Sequence, residues 1–277
     1  LRDPEDVHDA MTQVGVFLGK FAATRTLTKW LFDYKNPILR QEIHGITFEN
    51  PVGLSAGFDK NAQMIDIMPC VGFGFEEIGS ITGEPCEGNP RPRLWRLPNS
   101  EALVVYYGLK NDGALAITDR LTGSPLPFPI GVSIAKTNCQ ETCDTQEGIA
   151  DYVKAFTLMK DIGHYMTINI SCPNTFGGEP FTDPQKLESL LAEIDKIETQ
   201  KPIFLKISPD ISDTNVDEII DIASRHRIHG FVCTNLTKKR DNPLIKDQNV
   251  PDKGGISGHV VADLANHMIK YVYQKTN

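Results

Sequence analysis

Apolar residues fall at Val7, Ala10, Met11, Val14, Phe17, Leu18 and Phe21, the spacing of one helical face. Asp3-Pro4-Glu5-Asp6 ahead of them is a helix start: Asp as N-cap, Pro at the first helical position, acids in the first turn. A second, shorter helix is predicted over residues 24–34, with Leu27, Trp30, Leu31 and Phe32, and Asn36-Pro37 stops it. This pair either caps the main domain and buries its stripe there, or offers an apolar surface to a membrane or a lipophilic ligand.

From Ile43 the pattern shifts to β-type runs. Residues 43–48 read as one arm of a hairpin and residues 51–57 as a short buried strand. A helix is predicted over 62–71 and the next strand over 73–81. After the stiff basic loop Gly88-Asn89-Pro90-Arg91-Pro92-Arg93, residues 94–97 and 102–107 are placed to pair. Further strands are predicted at 130–135, 165–171, 203–208 and 230–235, and helices at 148–160, 183–198 and 213–225. Alternating β and α segments imply a parallel sheet. Each strand ends in small or polar residues: Ser55-Ala56-Gly57, Gly79-Ser80, Lys136-Thr137-Asn138, Ser171-Cys172, Lys206-Ile207-Ser208 and Thr234-Asn235. Polar groups gathered at the C-terminal ends of many strands point to an α/β fold of the TIM (β/α)8 barrel type with its site on that face. A doubly wound sheet is the alternative, but it normally carries a Gly-rich phosphate loop after its first strand. Gly72-x-Gly74 opens a strand rather than a helix and does not qualify. The chain thus divides into a helical extension, residues 1–42, and a barrel, residues 43–277.

Composition narrows the function. A net charge of −8 over 277 residues argues against a nucleic-acid partner. No apolar run approaches the roughly 18–20 residues that span a bilayer, and no signal peptide is visible. The chain opens on Leu1 rather than Met, so sequence upstream is expected. The six cysteines are scattered through a large chain without secretory marks, which reads as reduced thiols. Cys139-x-x-x-Cys143 is the one close pair, and no second cluster completes a zinc set.

The candidate chemistry centres on Thr167-Ile168-Asn169-Ile170-Ser171-Cys172-Pro173-Asn174-Thr175. An alternating β-type run ends in a polar loop in which two carboxamides bracket a thiol. Pro173 has no N–H, fixes its own φ and biases Cys172 away from the α region. Donors, acceptors and a potential base therefore meet at one mouth of a sheet. The plainer reading is a packed structural cysteine beside an Asx turn.

Long stretches carry a family resemblance. Asn50-Pro51-Val52-Gly53-Leu54-Ser55-Ala56-Gly57-Phe58-Asp59-Lys60-Asn61, Gly72-Phe73-Gly74-Phe75-Glu76-Glu77-Ile78-Gly79-Ser80 and the 88–97 segment resemble dihydroorotate dehydrogenase, and Asn169 to Thr175, Leu205 to Asp210 and Gly254 to Gly258 continue it in order. The Asp-Pro-Glu start and helical pair resemble the membrane-associated, quinone-using class 2, in which extra helices form an apolar tunnel to the flavin. The resemblance implies oxidation of dihydroorotate to orotate on FMN, with electrons passed to a quinone, in pyrimidine biosynthesis. It implies peripheral contact with the cytoplasmic side of the cell membrane, or a cytoplasmic protein. Carried over by position, Cys172 is the base. Asn169, Asn174 and Asn235 bind substrate, and Lys60 touches substrate and flavin. Ser55, Ala56, Gly57, Gly79, Ser80, Ser133, Asn169, Lys206, Thr234, Ser257 and Gly258 form the flavin shell. Arg96 lies on the quinone side. No metal is implied.

Three departures stand out. The base position holds Cys172, usual in the soluble class, where the quinone class has Ser; a thiol of reference pKa about 8.5 is the better base near neutrality. Val105 replaces an amide expected to touch substrate and flavin, Ser133 replaces a flavin-contacting Asn, and Leu236 stands where Thr is usual. The family's last two strands, with their Gly-rich flavin-phosphate site, have no counterpart before Asn277. From this the chain as written is expected to leave sheet edges open and bind FMN weakly, and a longer sequence is expected to add a Gly-Gly-rich strand soon after Asn277. Two alternatives stay open: another FMN-dependent barrel oxidoreductase acting on a related dihydropyrimidine, and an inactive remnant.

Overall fold

The computed structural model describes residues 2–276. The Asp3 carboxylate accepts the N–H groups of Glu5 and Asp6 and opens helix α1, Pro4–Lys20. Helix α2 follows at Ala22–Phe32. The apolar stripe is not buried on the barrel: Phe17 is 59% exposed, Trp30 79% and Leu31 56%. What docks α1 is its narrow side. A Cβ on Gly15 would come within 3.0 Å of Met64 Sδ, so the helix lies close against the 64–68 segment. Val16 and Leu18 pack there with Met64, Ile67 and Met68.

Strands β1, Gln41–Ile43, and β2, Ile46–Phe48, form a complete antiparallel hairpin turning at His44-Gly45, both at positive φ. Residues 43–48 therefore hold the turn and second arm, not one arm alone. Strand β3 is only Gly53–Leu54. The predicted 62–71 helix is reduced to a short 3-10 turn, Met68–Val71. Pro69 denies it an N–H, and the Asp59 carboxylate takes the N–H groups of Gln63 and Met64.

Strand β4, Phe75–Ile81, leads to an antiparallel pair, β5, Leu94–Leu97, and β6, Ala102–Val105. Helix α3, Ala114–Leu121, was not anticipated. The regular alternation then runs β7, Ile130–Ile134; α4, Thr145–Met159; β8, Tyr165–Asn169; α5, Pro184–Asp195; β9, Ile203–Ile207; α6, Asp213–Ser224; and β10, Gly230–Cys233. Asp144, Asp183 and Ser212 cap α4, α5 and α6 with their side chains. Strand β11, Gly255–Gly258, returns antiparallel to β6 before the last helix, α7, Ala262–Thr276.

The large sheet is parallel, and its strands β3, β4, β7, β8, β9 and β10 are neighbours in chain order. A doubly wound sheet reverses its strand order at a switch point; this one does not, and it curls as a partial (β/α) barrel. Its outward side chains, including Ile78, Val132, Ile168, Leu205 and Ile207, are fully buried against Phe156, Leu187, Leu190 and Ile219 of the helices. Inside, at the strand starts, rings overlie glycines on the paired strand. Phe75 faces Gly53 and Tyr165 faces Gly131 in register, and a Cβ on either glycine would lie about 2 Å from ring atoms.

A buried ion pair fixes the helical extension to this frame. Arg93 Nε lies 3.0 Å from both Glu5 oxygens, and Nη2 is 2.7 Å from Oε1. Nη1 donates to the carbonyls of Glu87 and Asn89 at 2.9 and 2.8 Å. Both residues are nearly inaccessible, at 1% and 6% exposure. Removing one member leaves a buried charge unpaired, so Glu5→Leu should lower stability by about 3–5 kcal/mol. Urea unfolding would show this as a lower midpoint, and the double variant with Arg93→Met should lose distinctly less.

Candidate active site

A chain of hydrogen bonds joins the C-terminal ends of the strands. Ser133 Oγ of β7 and Ser80 Oγ of β4 are 2.8 Å apart, and Asn169 Nδ2 of β8 donates to Ser80 Oγ at 2.9 Å. Asn235 Nδ2, just past β10, donates to Asn169 Oδ1 at 3.2 Å and to Ser171 Oγ at 3.1 Å. Ser171 Oγ donates to the Lys206 carbonyl of β9 at 2.9 Å. The structure thus brings Ser80, Ser133, Asn169 and Asn235 together. Next to them, Gly57 N–H donates to the Gly79 carbonyl at 2.7 Å and Gly79 N–H to the Asp59 carbonyl at 3.1 Å, which sets the Ser55-Ala56-Gly57 turn beside Gly79. Thr234 Oγ1 turns back on the Asn235 carbonyl at 3.1 Å.

Asn174 stands apart from that chain. Its Nδ2 donates to the Val105 carbonyl at 2.8 Å, and its own carbonyl accepts from Asn89 Nδ2 at 2.9 Å. Val105 therefore takes part through its backbone although its side chain has no polar group. Cys172 lies between the two carboxamides. Burial pushes its thiol up to about 11, against the Asn174 N–H and the charges of Lys136 and Lys206. The advantage expected of a thiol near neutrality is offset by where the fold puts it.

The two predicted lysines face different spaces. Lys206 and Ser55 line a cavity of about 1120 Å3 inside the sheet, together with Glu77, whose Oε2 accepts Thr167 Oγ1 at 2.8 Å. Lys206 is 8% exposed, and its ammonium has no hydrogen bond or ion pair among the described residues. Lys60 opens on a cleft of about 430 Å3 between α1 and the barrel, lined by His8, Phe17, Phe58 and Tyr107. Its Nζ sits 4.2 Å from the Tyr107 ring centroid, and burial brings the ammonium down to about 8, with Asp9 and Glu5 resisting. Ser257 and Gly258 pair with Leu103 and Ala102 on the small sheet, away from the hydrogen-bonded chain. Arg96 is exposed on β5 and donates to the Arg2 carbonyl at 2.9 Å, at the start of α1.

Sequence reasoning missed His8, whose Nε2 pairs with the Phe58 carbonyl at 2.9 Å on the cleft wall, and Lys136, which is 3% exposed. A signal for Lys136 existed: a lone cation directly after the wholly apolar end of a buried strand. None existed for His8, because its partner is 50 residues away in sequence.

Comparison with known proteins agrees with this architecture. The family model described as dihydroorotate dehydrogenase matches residues 38–277. The dihydroorotate dehydrogenase (quinone) of Synechococcus sp. (strain JA-3-3Ab) is 36% identical over 285 residues, covering 99% of this chain and 74% of that protein. The enzyme of the same description from Mycolicibacterium smegmatis is 39% identical over 241 residues, covering 87% and 67%. Among solved structures, the ferulenol complex of DHODH from Eimeria tenella superposes with a TM-score of 0.83 at 28% identity, covering 100% of this chain and 78% of that one. With a family match over most of its length and relatives above one-third identity, the chain belongs to the dihydroorotate dehydrogenase family, in its quinone class.

Proposed function

We propose that this chain oxidises dihydroorotate to orotate with FMN and delivers the electrons to a quinone, a step of pyrimidine biosynthesis. The observation that carries the reading is the loop of Cys172 and Asn174 beside the hydrogen-bonded strand ends, with the buried Lys206 ammonium free of any partner among the described residues.

The residues fit a flavin. Gly57 has a φ of +107°, and nothing lies within 4 Å of where its Cβ would be, so backbone alone borders open space there. Lys206 is a buried cation without a partner among the described residues, suited to the electron-rich edge of a reduced ring. Ser55, Ala56, Gly57, Gly79, Ser80, Ser133, Asn169, Lys206 and Thr234 would hold the cofactor, with Ser257 and Gly258 as further members of its shell. Bound FMN would supply a two-electron acceptor that can pass electrons on singly or in pairs.

The chain's own groups do the remainder. Cys172 takes the proton from C5 of dihydroorotate. Asn169, Asn174 and Asn235 exchange hydrogen bonds from their present protein partners to the ring amides of the substrate. Lys60 offers its charge to the substrate carboxylate. Val105 favours a second reading, a related dihydropyrimidine as substrate, because no carboxamide stands there. Bleaching of the flavin band by dihydroorotate, but not by dihydrouracil, decides for the first.

Met11, Val14, Phe17, Phe21, Trp30 and Leu31 are exposed, and Phe17 lines the cleft that holds Lys60; this supports quinone entry and peripheral membrane contact at this end, with Arg96 nearby. No helix among the described residues is long and apolar enough to cross a membrane.

Cys172→Ala should slow flavin reduction by about 10²–10⁴ while flavin stays bound; Cys172→Ser should stay active but need higher pH. Near-parental reduction by the Ala variant removes the thiol from this role. The pH dependence has a definite sign. Below about 8 the thiol is protonated and Lys60 is charged, so log(kcat/KM) should rise by about one per pH unit. Above about 8, loss of the Lys60 charge cancels the gain in thiolate and the profile should level. In Lys60→Met the break near 8 should vanish.

Deleting residues 1–40 should spare flavin reduction by dihydroorotate but abolish reoxidation by a long-tailed quinone. Phe17→Ser with Trp30→Ser is the milder version that keeps Glu5 in place. Quinone turnover at the parental rate in both rules out the helical extension as the acceptor site.

A further inference from the structure

Phe176 lies on the loop that carries Cys172, and one short segment holds both of its backbone polar groups. Its N–H donates to Asn138 Oδ1 at 2.8 Å, and its carbonyl accepts from Lys136 Nζ at 2.9 Å. The same ammonium donates to Thr142 Oγ1 at 3.3 Å. Lys136 is 3% exposed and forms no ion pair among the described residues. A buried ammonium without a carboxylate is costly. The groups that help to keep it protonated against burial are Cys143, Cys139 and Cys172, and after them the Asp151 carboxylate. Lys136 and Cys172 also line one small cavity of about 10 Å3, with Leu109, Asn169 and Thr175. That is room for about one water.

We propose that Lys136 is a positioning residue for Cys172: it fastens the 172–178 loop through Phe176 and holds a positive charge across a water-sized cavity from the thiol, favouring the thiolate. The bearing on catalysis rests on Cys172 being the base; the effect on the thiol does not.

The other titratable groups around the pair are few. Lys206 faces the thiol from β9, and Glu179 opposes both lysines from the far end of the loop. Tyr152 and Asp151 face it from α4, and Cys139 and Cys143 from the turn before α4. The Asp151 carboxylate is already engaged by Thr137 N–H at 2.6 Å, Thr137 Oγ1 at 2.7 Å and Gly83 N–H at 3.3 Å. Tyr152 donates its hydroxyl to the Asn169 carbonyl at 2.8 Å. Lys136 is thus the cation that both fixes the loop and faces the thiol.

The test is alkylation of Cys172 by iodoacetamide in the full flavin-loaded chain near pH 8, read by peptide mass spectrometry so that the other cysteines do not interfere. Asn138→Ala frees Phe176 N–H but keeps the charge, so Cys172 should react faster than in the parent. Lys136→Met and Lys136→Gln free the loop or weaken its hold and remove the charge, and should react about tenfold more slowly than Asn138→Ala. Lys136→Arg should restore the rate towards that of the parent. If Lys136→Met does not fold, Lys136→Gln, which can still donate a hydrogen bond, carries the same expectation. Uncharged variants that react as fast as Asn138→Ala overturn the electrostatic role. An Asn138→Ala rate equal to the parental one overturns the fastening. Altered alkylation with an unaltered pH profile of dihydroorotate oxidation keeps Lys136 in its role and takes Cys172 out of the base role.

Discussion

Asn169 Oδ1 is the acceptor on which the mouth of this barrel depends. It receives Asn235 Nδ2 and Ser171 N–H, while Nδ2 of the same amide reaches Ser80. Three strands, β4, β8 and β10, that could each end at any height are thereby held in one register at their polar ends. The requirement is physical: polar side chains at the top of a buried sheet must find partners or pay for desolvation. They find one another, and the result is a prearranged set of amides and hydroxyls. On the function proposed above, a substrate that offers ring amides takes over these bonds without leaving a buried donor unmet.

A second tier, also built on asparagines, carries the loops. Asn89 donates to the carbonyls of Tyr106 and Asn174, and Asn138 donates to Asn89 Oδ1 and to the Gly108 carbonyl. Arg93 closes this tier from the outside by holding the Glu87 and Asn89 carbonyls and the Glu5 carboxylate together. The helical extension, the basic loop and the Cys172 loop therefore share one network. An event at α1 and an event at Cys172 are separated by Glu5, Arg93, Asn89 and Asn174, all in direct contact.

The parallel strands and the helices between them were legible because the strands are short, rich in apolar residues and spaced by amphipathic segments. The strand-end polar residues were legible because six strands repeat the same switch from apolar to small or polar. What failed was local. The 62–71 segment has helical spacing, but Pro69 lacks an N–H and the Asp59 carboxylate takes the N–H groups of Gln63 and Met64. The α1 stripe has the spacing of a buried face, yet the helix docks through Gly15 and Gly19, whose lack of side chains permits the close approach. Helical periodicity locates an apolar face; it does not say whether protein or something else covers it. The cleft residue His8 and the fastening by Lys136 depend on contacts made only after folding, and no spacing in the chain encodes them.

The distribution of charge is the remaining constraint on function. The chain carries a net charge of −8, yet Lys60, Lys136 and Lys206 form no ion pair among the described residues. The carboxylates that lie close are committed elsewhere, Glu5 to Arg93 and Arg91, Asp151 to backbone donors and Asp59 to the 63–64 turn. Three buried or half-buried cations without counter-ions cost stability in the free protein. That cost falls when an anion binds beside them, and the substrate proposed above, a carboxylate-bearing dihydropyrimidine, is an anion. Of these cations, Lys136 and Lys206 draw the Cys172 thiol back from the high value that burial imposes. On the function proposed above, Lys136 and Lys206 favour proton abstraction by the thiol, and Lys60 serves substrate capture from its own cleft.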